Sequence, residues 1–350
     1  MRRKTLSREP SHYESSLFDR FKGWVETTPI PAWAFYGALG WMLVAAQLVS
    51  LRLDGVLNSG EITPVIVYNS FFTPFLLGFM HLLDRLGGRA LRAMRRVLDL
   101  SEPDLERCRY RMSHMPFPVP TVVGIVMLAL VVGMELVAAT PTRYAVLNQA
   151  RVFAPVFQLV DKSSAFLFGV VIYHTVRQLR LVNTITSRHV QVDLFNLGPL
   201  RAFSRITAYT AVGLLAGVYG WMVINPDLWR DPVILGVIGV LTLLAAVVFV
   251  WPLRGAHRLM TAAKEEALHD LERRFKAAFT AFNERLDAED FAGAEALSGA
   301  IASLEIQRQR LSAVSTWPWR PHTVRFVLTA IALPLILGVA QYLIERALGP

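Results

Sequence analysis

Seven apolar stretches of bilayer-crossing length punctuate the chain, at about Pro31–Ser50, Ile62–Leu83, Thr121–Ala139, Phe153–Val176, Phe203–Ile224, Val233–Trp251 and Phe326–Ile344. A helix rising about 1.5 Å per residue needs about 20 apolar residues to cross roughly 30 Å of hydrocarbon, and each stretch is near that length. The expected fold is therefore an all-α membrane protein of about seven transmembrane helices. Placing the N-terminus in the cytoplasm leaves only Arg52, Arg143, Arg151, Lys162, Arg230 and Arg346 outside, of 36 Lys and Arg. Basic residues gather in cytoplasmic loops, so the charge pattern sets this orientation, with the C-terminus outside.

Composition agrees: 53% of residues are hydrophobic, mean hydropathy is +0.40 and net charge is +9. In a soluble chain that charge would point to nucleic acid. Here the basic residues flank apolar spans, which excludes nucleic acid as the expected partner and favours anionic headgroups at the cytoplasmic face. The single cysteine, Cys108, allows no intramolecular disulfide and no thiolate metal cluster. The first 29 residues carry six basic and four acidic side chains and no apolar core, so no signal peptide is expected. The plasma (inner) membrane of a prokaryote is the expected location.

Domain organisation follows from the spans. Residues 1–30 form a cytoplasmic segment in which Tyr13, Leu17, Phe18, Phe21, Trp24 and Val25 recur at helical spacing opposite Glu14, Asp19, Arg20 and Lys22, an interfacial amphipathic helix. Residues 31–251 hold six spans and include a basic cytoplasmic segment, 84–120, with five arginines between Arg85 and Arg96 and a helix start at Ser101, Pro103 and Asp104. Residues 252–321 form a cytoplasmic helical hairpin: a stripe through Leu259, Leu271, Phe275, Phe279, Phe282 and Leu286, a turn at 287–290, and a second stripe through Phe291, Leu297, Ile301, Leu304 and Leu311. Helices joined so tightly pack antiparallel and are expected to bury each stripe against the other. Span six should run into this arm with a kink at Pro252. The Trp317–Trp319 run should return the chain to the membrane with its indoles at headgroup level, and residues 322–350 hold the seventh span. Trp251-Pro252-Leu253-Arg254, the charged hairpin and Thr316-Trp317-Pro318-Trp319 together resemble a group of prokaryotic polytopic membrane proteins. That resemblance carries no activity.

Several side chains are candidates for a pore or substrate path. Glu135 lies in the outward half of an otherwise apolar span, where an ionisable group is costly without a cavity or partner; Arg143 is one possible partner. Asp161 and Lys162 lie in the outer part of span four, pointing in different directions as helix neighbours. Span two carries Asn69, Ser70, Thr73, Pro74 and His81, a polar, kinkable helix suited to a path and equally to helix contacts. His81 and His174 lie near inner span ends, where no metal is expected. Gly213, Gly217 and Gly220 share a face of span five and read as helix packing, while residues 193–199 read as a turn seating that span. No catalytic constellation, cofactor motif or metal motif is present: the chain lacks GxxxxGK[ST], HExxH, GxSxG and a potassium filter, and span seven has no lysine for retinal.

The leading expectation is an integral membrane channel or transporter, homo-oligomeric, with the hairpin serving assembly or gating. A non-transporting scaffold whose hairpin docks a cytoplasmic protein competes with it. A membrane-embedded enzyme acting on lipid ranks third. A conduit needs a continuous polar path, and a scaffold does not.

Overall fold

A computed structural model describes residues 14, 16–55, 63–95, 98, 100–137, 150–188, 198–224, 232–319, 322–332 and 336. Every regular element among them is helical: α1 (Leu17–Thr27), α2 (Ala32–Leu53), α3 (Thr63–Met94), α4 (Glu102–Ser113), α5 (Val119–Val137), α6 (Phe153–Arg188), α7 (Gly198–Ile224), α8 (Pro232–Val250), α9 (Arg254–Asp287) and α10 (Phe291–Ser312). A further helix, α11, covers His322–Ala332. Among the described residues, six helices are long and apolar enough to cross a membrane: α2, α3, α5, α6, α7 and the run from α8 into α9. They fall on the first six apolar stretches. The seventh lies mostly outside the described residues, as do Arg143 and residues 193–197 of the expected turn.

The helix α3 is the hub, packing against α2, α6 and α7, while α5 lies along α6 and α8 along α7. Small residues on the inward side let the helices approach. An ideal Cβ on Gly124 of α5 would come 2.6 Å from the Phe166 ring of α6, and one on Gly40 of α2 2.6 Å from Phe71 of α3. The outward side of α5 exposes Val122, Ile125, Val126 and Leu130, an apolar face turned outward as lipid contact demands.

Between α8 and α9 the chain makes one 3₁₀ turn, Trp251–Leu253, where Pro252 has no N–H to continue the ladder. At this stem Phe249, Trp319, Trp317 and His257 stack face to face, with successive ring centroids 5.0, 4.2 and 3.9 Å apart. The indoles thus pack within the protein. Lys264 Nζ donates to Ser312 O at 2.6 Å and Val314 O at 2.8 Å, and His257 Nδ1 lies 3.0 Å from Thr316 O, so α10 returns along α9. The turn uses Glu289 at φ 57°, and Asp290 caps α10 by accepting from Gly293 N at 3.0 Å. The apolar stripes are less covered than expected: Phe279 is 49% and Phe291 69% exposed. The base of α9 also packs on α6, through Ala256 and Met260, but beyond it each helix of the pair has only the other to cover its stripe.

Candidate functional site

The buried ionisable groups gather where α1 meets the bundle. Helix α1 starts with a capping box: Asp19 N donates to Ser16 Oγ at 3.2 Å, and Ser16 N donates to Asp19 Oδ2 at 3.2 Å. Three residues at spacing three, Asp19, Lys22 and Val25, are buried, whereas Leu17 and Trp24 are 65% and 55% exposed. The sequence pattern places Asp19 and Lys22 outward; the helix keeps Phe18, Phe21 and Val25 of its apolar stripe against the core but is rolled so that Asp19 and Lys22 are also inward. The partners decide it, because the surface α1 lies on presents a carboxylate and backbone carbonyls.

That carboxylate is Asp84 of α3. Lys22 Nζ donates to Asp84 Oδ2 at 2.5 Å and to Ser113 O at 3.2 Å, and lies 3.2 Å from Asp19 Oδ1 as an ion pair out of line for a hydrogen bond. On its other oxygen Asp84 faces His174 Nε2 at 2.8 Å and accepts from Gln178 Nε2 at 3.0 Å, both on α6. An ionised carboxylate only accepts, which assigns the hydrogen to His174 Nε2 and leaves its buried Nδ1 unpartnered. Gln178 Nε2 also donates to Met112 O at 2.8 Å, Asp19 Oδ2 accepts from Met115 N at 2.8 Å, and Arg177 bonds His114 O. Thus α1, α3, α6 and the α4–α5 connection meet on one acid–base cluster. Burial works against the Lys22 charge, but Asp84 and then Asp19 outweigh it and hold its pKa above the ordinary lysine value. Next to the cluster, burial pushes the Cys108 thiol up to about 11. Among the described residues no three His, Cys, Asp or Glu are grouped to hold a metal ion. The cation between Asp19 and Asp84 is the protein's own ammonium.

The polar residues of span two form a second, neutral set farther along the same helices. Gln47 Nε2 of α2 donates to Ser70 Oγ at 2.9 Å, Asn69 Nδ2 to Phe157 O at 3.3 Å, and the Thr73 and Ser164 hydroxyls lie 2.6 Å apart. Asn69, Ser70 and Thr73 thus face α2 and α6 inside the bundle. Between this set and Asp84 lie Leu76, Leu77, Met80, Leu83, Leu167, Val170 and Val171, all buried in one apolar tier. From Ser164 to His174 the tier spans about 15 Å along α6. Beyond the neutral set, Asp54 at the end of α2 caps α6, accepting from Val152 N at 2.9 Å and Phe153 N at 2.8 Å.

The other candidates are not brought to this axis. Glu135 of α5 is ion-paired with Lys162, which also donates to Asp161 Oδ2 at 3.0 Å; the Glu135 side chain is half exposed. The three form an α5–α6 clasp, in which Lys162 reaches back to its own neighbour. His81 sits between α1, α2 and α3, its Nδ1 3.4 Å from the Tyr36 hydroxyl and its Nε2 3.0 Å from Glu26 Oε1 but out of line for a hydrogen bond. Gly213, Gly217 and Gly220 of α7 face the stacked rings of α3. An ideal Cβ there would lie 2.2 Å from Phe79, 2.8 Å from Phe72 and 3.0 Å from Tyr68, whose hydroxyl donates to Gly217 O.

Asp84, Lys22, Asp19, Gln178 and Gln47 are functional candidates that sequence reasoning missed. The available signal was Asp84 falling on an inward heptad position, three residues past His81. The chain matches no family model, no curated protein and no solved structure.

Proposed function

We propose that the chain is a channel or transporter of a prokaryotic plasma membrane, with seven spans, the N-terminus and hairpin inside and the C-terminus outside. The observation that carries this is the alternation along α3 and α6: a neutral polar set, an apolar tier, then a charged cluster closed by α1. Polar groups at two depths of one helix contact are what a path would use, and an apolar tier between them is the form a closed hydrophobic gate takes. In this reading α1 is the inner latch, and the hairpin, joined to α8 through the stem, assembles or gates an oligomer. The scaffold alternative draws on one specific observation: Phe279, Leu286, Phe291 and Ile306 on the hairpin are exposed and could dock a cytoplasmic protein.

Ion and small-solute flux into vesicles holding the purified protein separates the two. Passage above protein-free vesicles is the expected result, and its absence for cations, anions and small neutral solutes favours the scaffold. Orientation is tested with single cysteines at Ser7, Ala288 and Gly349 in a Cys108→Ser background. An impermeant reagent added to intact cells should label only Gly349→Cys, and labelling at Ala288→Cys contradicts the topology.

A further inference from the structure

A groove of about 530 Å³ opens on the outer side of the α2–α3 contact, walled by Trp33, Gly37, Phe71, Phe75, Gly78 and Leu82 and closed at one end by His81 and Arg85. Its space comes from two glycines. An ideal Cβ on Gly37 meets nothing within 4 Å, while one on Gly78 would touch the Tyr36 ring at 3.1 Å, so Tyr36 is the floor. The α3 wall follows one face, 71, 75, 78, 82 and 85, about 21 Å long, somewhat more than the ~15 Å half-thickness of a hydrocarbon core. Trp33, 80% exposed, stands at the rim as interfacial indoles do.

The same face of α3 continues past the groove as Arg85, Arg89 and Arg92, all exposed. Glu26 lies 3.9 Å from Arg85, but among the described residues no carboxylate lies within ion-pair distance of Arg89 or Arg92. His81 Nε2 lies 3.0 Å from the same Glu26 carboxylate, so among the described residues the unpaired cations of the row are Arg89 and Arg92. An apolar slot one leaflet deep thus ends at a row of cations.

We propose that this groove is a binding site for an anionic phospholipid, one acyl chain lying along Gly37 and Gly78 and the phosphate meeting the Arg85–Arg92 row. Ordinary lipid contact would fill the groove without regard to headgroup; the arginine row makes retention selective. The site needs only that the bundle lies in lipid and does not depend on the conduit reading.

The full chain is reconstituted in phosphatidylcholine containing a minor share of phosphatidylglycerol, and lipids retained after detergent extraction are counted by native mass spectrometry. Wild type should keep phosphatidylglycerol in preference to phosphatidylcholine. Gly37→Leu, filling the slot, should lose the retained lipid, whereas Gly133→Leu, at an exposed α5 glycine with nothing within 4 Å, should keep it. Arg89→Gln should reduce the preference about fivefold, the effect of one arginine at an anionic surface. Equal retention of both headgroups by wild type overturns the proposal. So does unchanged retention in Gly37→Leu that still shows the wild-type melting profile; a Gly37→Leu that misfolds leaves Arg89→Gln to decide.

Discussion

Asp84 and His174, at one end of the α3–α6 contact, sit in a charged cluster that ties four segments together, whereas Thr73 and Ser164, a few turns away on the same helices, share a single hydroxyl contact. The first set is strongly interlocked. Asp84 answers Lys22, His174 and Gln178 at once, so removing its carboxylate leaves three buried donors short of a partner. The second set is neutral: Gln47 with Ser70, Asn69 with Phe157 O, and Thr73 with Ser164, each a single bond between two helices. In lipid, where the unfolded reference also finds partners, such bonds are worth little. The difference assigns roles. In the proposed conduit, the charged end holds a shape and the neutral end exchanges hydrogen bonds with whatever passes.

The sharpest way to break this comparison is to remove Asp84. Asp84→Ala leaves the Lys22 ammonium buried without its main counter-charge and should destabilise the protein by about 3–5 kcal/mol, read as a large fall in the unfolding midpoint in mild detergent. Lys22→Met/Asp84→Leu, which replaces both charges by apolar groups, should recover most of that loss. A double variant as unstable as the single one would show that the cluster matters through His174 and Gln178 and not through its charge pair.

A smaller effect is expected at the neutral set. Thr73→Val keeps the shape and removes the hydroxyl, and should cost about 1 kcal/mol or less in the same assay. A loss comparable with that of Asp84→Ala would erase the distinction between the two regions.

The smallest effect concerns pH. Because the Lys22 pKa is raised in the folded protein, its contribution is fully present below the unfolded lysine value of about 10.4 and is lost as pH rises through the higher folded value. The difference in midpoint between wild type and Lys22→Met/Asp84→Leu should therefore hold constant between about pH 7 and 10 and change only above that range. A drift beginning near neutrality would contradict control by the Lys22 charge.

Much of this architecture was legible in the chain and some of it was not, for physical reasons. Spans such as Phe203–Ile224 announce themselves because the bilayer fixes their length and composition whatever their neighbours. The start of α4 at Ser101 was legible because a cap is local: Asp104 N donates to Ser101 Oγ at 3.3 Å. The exact roll of α1 was not: amphipathicity predicts Leu17 and Trp24 inward beside Phe18, Phe21 and Val25, and only the position of Asp84, 62 residues from Lys22, turns Lys22 inward in their place. The hairpin pattern was visible, but how far Phe279 is covered depends on how many neighbours α9 has. Asn69, Ser70 and Thr73 stood out as polar letters in an apolar span. Asp84 looked like the first residue beyond that span, because helix α3 continues past the apolar stretch to Met94.

The central claim is that the tier around Leu77 and Val170 separates two polar regions of a conduit, and a polar side chain placed in it tests this most directly. Flux is compared for wild type, Leu77→Asn in the tier and Leu130→Asn on the exposed face of α5. A hydrophobic gate is lowered by a group that holds water, so Leu77→Asn should raise the flux of small ions well above wild type while Leu130→Asn leaves it unchanged. A folded Leu77→Asn protein that conducts no more than wild type contradicts the account.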